Sequence, residues 1–221
     1  PAQGHGLYIA QVALVEVVAS ICRKAREQNM PRSELQIFDK IDQFEKLLDD
    51  DENQDENVYH KFLREHPELL DFYAVKCFSK PKWFFKEHSN PLNKKYVEPD
   101  FVLCYANSTY KLVELERPDH QFATKKGQPT AAAHAPFFQL AEWRHYIGTH
   151  YEVIKDEFPN ISSDSSGVVI ISRTTERTFG HNRNTHDYLA LLLHQHRNIE
   201  CWTYDDVVTR ARTVLNRLAS L

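Results

Sequence analysis

Asp100, Glu114 and Glu116 are the residues of this sequence whose types and spacing suggest chemistry. They lie in two short β-like runs, 97–105 and 110–116, joined by the turn-forming stretch ANST. Side chains alternate along a strand, so Leu112, Glu114 and Glu116 share one face while Val113 and Leu115 take the other. If the two runs pair, Asp100 at the start of the first comes close to both glutamates near the end of the second. Three acids brought together raise one another's pKa unless a cation with oxygen ligands joins them. No Cys/His spacing favours a softer metal, so the fitting cofactor is Mg2+ or Mn2+. Such an ion binds a phosphate oxygen and lowers the pKa of a bound water, which makes phosphodiester hydrolysis the expected chemistry. From spacing alone, it is as good a reading that Glu116, Arg117 and Asp119 form an exposed strand end, with Asp100 opening a turn after Pro99. Lys111 falls on the strand face opposite Glu114 and cannot easily join the acids.

A second chemical feature is VKCFSKPKWFFKEHSNPLNKK (75–95), in which six lysines and one glutamate are interleaved with Phe78, Trp83, Phe84 and Phe85. Lys82 and Lys86 could hold phosphates while aromatic rings stack on bases. The competing reading is a strand and loop with aromatics toward the core and lysines in water.

The elements that would position these groups follow from periodicity. Leu35, Phe38, Ile41, Phe44, Leu47 and Leu48 form a helical stripe over 34–49, entered through a capping-box pattern, Ser33 with Gln36. The acidic run 49–57 reads as a solvated linker, and it sets a boundary between an N-terminal mainly helical segment (1–50) and the domain 51–221. Val58, Phe62, Leu63, Leu69 and Leu70 predict a short amphipathic helix stopped near Pro67. A helix is expected over 136–157 with Pro136 in its first turn, a buried-type strand at 167–173, a helix at 187–196, a strand at 199–204, and a last helix capped by Asp205. The apolar segment 7–28 reads as a helix. This order predicts a mixed α/β protein.

Composition narrows the function classes. With 221 residues, 42% hydrophobic and 26% charged, the chain is an ordinary globular sequence. Its net charge of −4 gives no global basic signature, so a nucleic-acid role must rest on local patches. Cys22, Cys77, Cys104 and Cys201 are scattered without a CxxC pair, which fits reduced thiols in the cytoplasm. The run Leu7 to Val15 is shorter than the ~20 residues that span a bilayer and lacks the flanks of a signal peptide, so no membrane role is expected. Pro1 in place of an initiator Met suggests a fragment.

EPDFVL with VELERP, in which Glu114 follows Asp100 by 14 residues, resembles the core of the PD-(D/E)XK nuclease superfamily. The wider set YHKFLREHPELL, FFQLAEWRHYI and IECWTYDDVVTRA is similar to the Shedu anti-phage nuclease domain over roughly residues 56–215. That resemblance implies a restriction-endonuclease-like core, a mixed central sheet flanked by helices, and a metal-dependent DNA endonuclease in prokaryotic defence. It implies metal ligation by Asp100 and Glu114, with Glu56 preferred over Glu65 as a further metal-facing acid. Gln139 is expected to face the site, with Trp143 on the same helical face to stack or pack and Arg144 beside it. Where the family usually has Lys, this sequence has Glu116, which would act as general base or bind a second metal. Lys125 or Lys126 could supply the missing cation. Such a site needs neither His134 nor His145. The resemblance further implies a homo-oligomer, a tetramer. Two other readings compete: a nuclease-like domain that binds nucleic acid without cutting it, and a scaffold assembled through residues 1–50.

Overall fold

A computed structural model describes residues 32–50, 55–86, 94–175 and 183–220. The expected helix over 7–28, together with Cys22, lies outside the described residues. In chain order the elements are helix α1 (Arg32–Leu48), α2 (Glu56–Glu65), a 3-10 turn (Pro67–Leu69) and strands β1 (Ala74–Ser79), β2 (Trp83–Phe84), β3 (Tyr96–Val97), β4 (Phe101–Tyr105) and β5 (Tyr110–Leu115). They continue with α3 (Ala131–Ile154), β6 (Ser166–Ile170), α4 (Arg183–Gln195), β7 (Ile199–Trp202) and α5 (Tyr204–Leu218).

Five strands form one mixed sheet in the order β1-β4-β5-β6-β7, and β2 pairs with β3 in a separate ribbon. The pairs β1/β4 and β4/β5 are antiparallel, whereas β5/β6 and β6/β7 are parallel. Each parallel step needs a crossover, and α3 and α4 provide them. Strand alternation sends Val102, Leu112 and Val169 into a core shared with Phe137, Leu140 and Trp143 of α3 and Leu192 of α4. Phe101, Leu103, Val113, Leu115, Val168 and Ile170 face the other way, onto Phe44, Tyr59, Leu63, Tyr204 and Leu215. A sheet covered on both faces explains why β5 and β6 are nearly continuous apolar runs.

Helix α1 packs into this second core through Ile41, Phe44 and Leu48. It is tied to α5 by Arg212, whose Nη2 donates to Asp42 Oδ1 at 2.8 Å and to Glu45 Oε2 at 2.6 Å. Among the described residues, the acidic stretch near residue 50 therefore does not separate two cores.

Several local expectations need correction. The last helix is capped by Thr203 rather than Asp205: Thr203 and Asp206 form a reciprocal capping box. Asp205 is occupied by Arg173, whose Nε donates at 2.9 Å, and by the Thr174 amide at 2.6 Å. The helix expected from Pro136 begins earlier, at Ala131, behind a Thr130 cap that accepts from the Ala133 amide. Ala131 to Ala133 are strong helix formers and carry it past Pro136, which sits inside the helix. Position 97 belongs to the β2/β3 ribbon, because Pro99 interrupts the run before β4. Among the described residues, no helix is long and apolar enough to cross a membrane.

Candidate active site

The register of three strands builds the site. Ser79, Phe101 and Val113 are paired across β1, β4 and β5. One step further along the same rows come Lys80, Asp100 and Glu114, at the end of the sheet where the parallel strands have their carboxyl termini. That edge is where open α/β sheets carry their ligands.

Asp100 is 8% exposed and Glu114 4%. Asp100 Oδ2 accepts a hydrogen bond from the Leu115 amide at 2.9 Å, so the carboxyl completes the β4/β5 ladder at the point where Pro99 ends it. Glu114 is driven well above the ordinary carboxyl range, first by burial, then by the charge of Asp100 and by a hydrogen bond between the two carboxyls. Glu116 lies just beyond β5; its amide donates to Ile170 O at 2.8 Å and its carbonyl accepts from the Tyr204 hydroxyl at 2.6 Å. Those two bonds fix the backbone, while burial followed by Glu56 and Asp100 pushes the Glu116 carboxyl up to about 7. Glu56, in the first turn of α2, is raised by burial and then by Asp100, with Lys80 acting in the opposite direction. Glu65 stands one helix length away, in an exposed pairing with Arg64 at 3.8 Å. The sequence alternatives for this helix are thereby separated in space: Glu56 faces the acids, and Glu65 does not.

Three further groups belong to the neighbourhood and were missed in the sequence. Lys80 Nζ is 3.8 Å from Asp100 Oδ1. His60 is buried, stacks on Phe101 with ring centres 4.6 Å apart, and places Nε2 3.4 Å from Asp100 O. Burial, then Lys80, lowers its pKa, so the ring is neutral at pH 7. His120 Nδ1 is 3.2 Å from Glu116 Oε2 but buried without an aligned hydrogen bond. Its pKa is lowered by burial and then by Arg117, so it too is neutral. The antiparallel register of β1 is the signal that would have located Lys80; nothing in the local sequence marks His60 or His120.

Other expected site residues fall elsewhere. Trp143 is 3% exposed within the α3 core and has no face to offer a base, so of its two expected roles it packs and does not stack. Arg144 is likewise structural: its guanidinium donates to the carbonyls of Ser165, Arg197 and Asn198 at 2.7 to 3.1 Å. These carbonyls precede β6 and β7, at the opposite end of the sheet from the acids. Gln139 is half-buried on α3, without a hydrogen-bond partner among the described residues. Lys82 is paired with Glu98 at 3.6 Å and lies over the Tyr96 ring. Lys86 is exposed near Glu152, and Lys125 and Lys126 are exposed on the turn closed by Gly127 N to Thr124 O at 2.8 Å. Lys111 is on the other sheet face, 3.2 Å from Asp71.

Among the described residues, no group of three or more His, Cys, Asp and Glu side chains is arranged to hold a metal ion. The carboxyls nonetheless fit a hard cation in donor type. Magnesium commonly uses one or two carboxylates and keeps several waters, and Asp100 and Glu114, in register on neighbouring strands, are two such donors.

Fold and site define an α/β protein whose mixed sheet carries a buried carboxyl cluster at the ends of its parallel strands. The chain belongs to the Shedu family: the family model described as Shedu protein SduA, C-terminal, matches residues 53–208. Membership points to anti-phage defence. No curated protein matches the chain.

Proposed function

We propose that this domain is a metal-dependent DNA endonuclease of the PD-(D/E)XK kind, acting in anti-phage defence. The observation that carries the reading is the row Asp100–Glu114 with Glu116 and Glu56 beside it, acids held together against their own repulsion at the functional edge of the sheet. Asp100 and Glu114 would hold Mg2+ or Mn2+, with Glu56 facing the same space. A bound ion would neutralise these carboxylates and place positive charge at a phosphoryl oxygen. Glu116, poised at about 7, suits a general base that takes a proton from water at its carboxylate near neutral pH. The Tyr204 and Ile170 bonds hold its backbone while that proton arrives. Burial keeps bulk water from Asp100 and Glu114. Lys82, Lys86, Lys125 and Lys126 are exposed and would approach DNA phosphates, Lys82 by exchanging its partner Glu98, and assembly as a tetramer would gather several such surfaces.

A second reading, a domain that binds DNA without cutting it, is favoured by one observation: Glu116 stands where the family pattern has a lysine. Incubation with supercoiled and linear DNA in Mg2+, Mn2+ or EDTA separates the two. Metal-dependent cutting that Glu114→Ala abolishes supports the endonuclease. Binding without cutting under every condition supports the second reading.

A further inference from the structure

We propose that Lys80 is the basic residue of this site, contacting the phosphodiester from the neighbouring strand in place of the lysine that position 116 lacks. The assignment rests on the nuclease reading for its substrate and on the sheet register for its geometry. Ser79 pairs with Phe101 and Phe101 with Val113, so Lys80, Asp100 and Glu114 follow as the next row across three strands. Neighbouring strands lie ~4.8 Å apart, while residues two apart on one strand are separated by ~6.7 Å. A lysine one or two strands away therefore reaches the same volume as a lysine two residues beyond Glu114.

The local backbone supports this placement. Lys80 has φ 47, in the left-handed region, and its amide donates to Asp100 O at 2.9 Å. Such a conformation is disfavoured for a residue with a Cβ, and here it is held next to the acids. It ends the regular alternation of β1 and turns the chain toward Pro81. The Nζ atom is 3.8 Å from Asp100 Oδ1, too far for a hydrogen bond, and the side chain is 35% exposed. Among the described residues its ammonium has no hydrogen-bond acceptor, so its donors are available to a phosphate. Lys82, Lys94 and Lys111 are instead engaged by Glu98, Glu142 and Asp71.

The test uses the whole chain and Lys80→Met, Lys80→Arg and Lys155→Met, the last removing an exposed charge paired with Glu152. Affinity for a labelled DNA duplex is measured in calcium across a salt series, and plasmid nicking is measured in magnesium. Lys80→Met is expected to flatten the log–log salt slope by about 1 and to slow nicking by ~10²-fold. Lys80→Arg should keep the salt slope, and Lys155→Met should alter neither measurement. An unchanged slope in Lys80→Met overturns the assignment even if nicking slows, because a merely structural lysine would slow nicking without touching phosphate. If the unaltered protein binds DNA but never nicks it, the endonuclease reading fails, and the salt slope alone decides Lys80. If it binds no DNA, both fall.

Discussion

The two ends of the central sheet handle buried charge in opposite ways. At one end Arg144 is answered by three backbone carbonyls, from Ser165, Arg197 and Asn198, which tie the starts of β6 and β7 to α3. At the other, Asp100, Glu114 and Glu116 crowd together, the carboxyls of Glu114 and Glu116 are pushed upward by burial and by the neighbouring acids, and Lys80 stands 3.8 Å from Asp100. A satisfied buried charge contributes to stability; an unsatisfied cluster is kept at a cost to folding and marks the end where binding energy can be gained. The contrast is repeated within β5. Lys111 has Asp71 as its counter-charge on one face, whereas Glu114, three residues later on the other face, is surrounded by the acids Asp100, Glu116 and Glu56.

The comparison can be broken most sharply at Glu114. Glu114→Gln removes the most buried acid without changing its shape, and is expected to cut metal-dependent nicking by at least ~10³-fold while raising the melting temperature in the absence of metal. A drop in both quantities would put Glu114 among the stabilising groups instead. Arg144→Ala should do the reverse. Four charge-assisted bonds are lost and three carbonyls left under-satisfied, so a loss of about 2–4 kcal/mol is expected, or ~5–12 °C in melting temperature for a chain of this size. Nicking and DNA affinity measured below that transition should be unchanged.

A smaller effect tests the acid end through pH. The Glu116 carboxyl moves from an ordinary 4.5 to about 7 on folding, so the folded state binds its proton more tightly than the unfolded chain does. Its favourable contribution is complete below about 4.5 and disappears as pH rises through 7. Glu116→Gln should therefore match the parent protein near pH 4.5 and exceed it by about 1–2 kcal/mol above pH 8, after allowance for partial solvent screening. Urea unfolding at the two pH values checks this, and equal gains at both would remove Glu116 from the coupled cluster.

Much of this arrangement was legible in the sequence, for identifiable reasons. The alternation in VELE put Glu114 on one sheet face and Lys111 on the other, and a turn as short as ANST allows only an antiparallel partner for β5. Given that pairing, Asp100 had to approach Glu114. The helical stripe of Ile41, Phe44 and Leu48 was equally plain, but its destination was not, since periodicity says which face is apolar and not what covers it. Lys80 escaped notice because it depends on a pairing between strands separated by some twenty residues, and because its aromatic-rich surroundings suggested a nucleic-acid surface as a whole. Trp143 and Arg144 were placed near the site by their position on the helix beside Gln139; the core and the carbonyls at the strand starts claim them. The cap of α5 turned on one residue: both Thr203 and Asp205 suit that role, and Arg173 decided it by binding Asp205.

The most direct test of the acidic end is a calorimetric titration of the metal-free protein with Mn2+ at pH 8, beside Asp100→Asn. Saturable binding that is lost in Asp100→Asn is the predicted result, because a hard cation draws its ligands from the paired carboxyls of Asp100 and Glu114. Absence of binding, or binding that Asp100→Asn leaves intact, would contradict the account and leave the acids as a structural cluster.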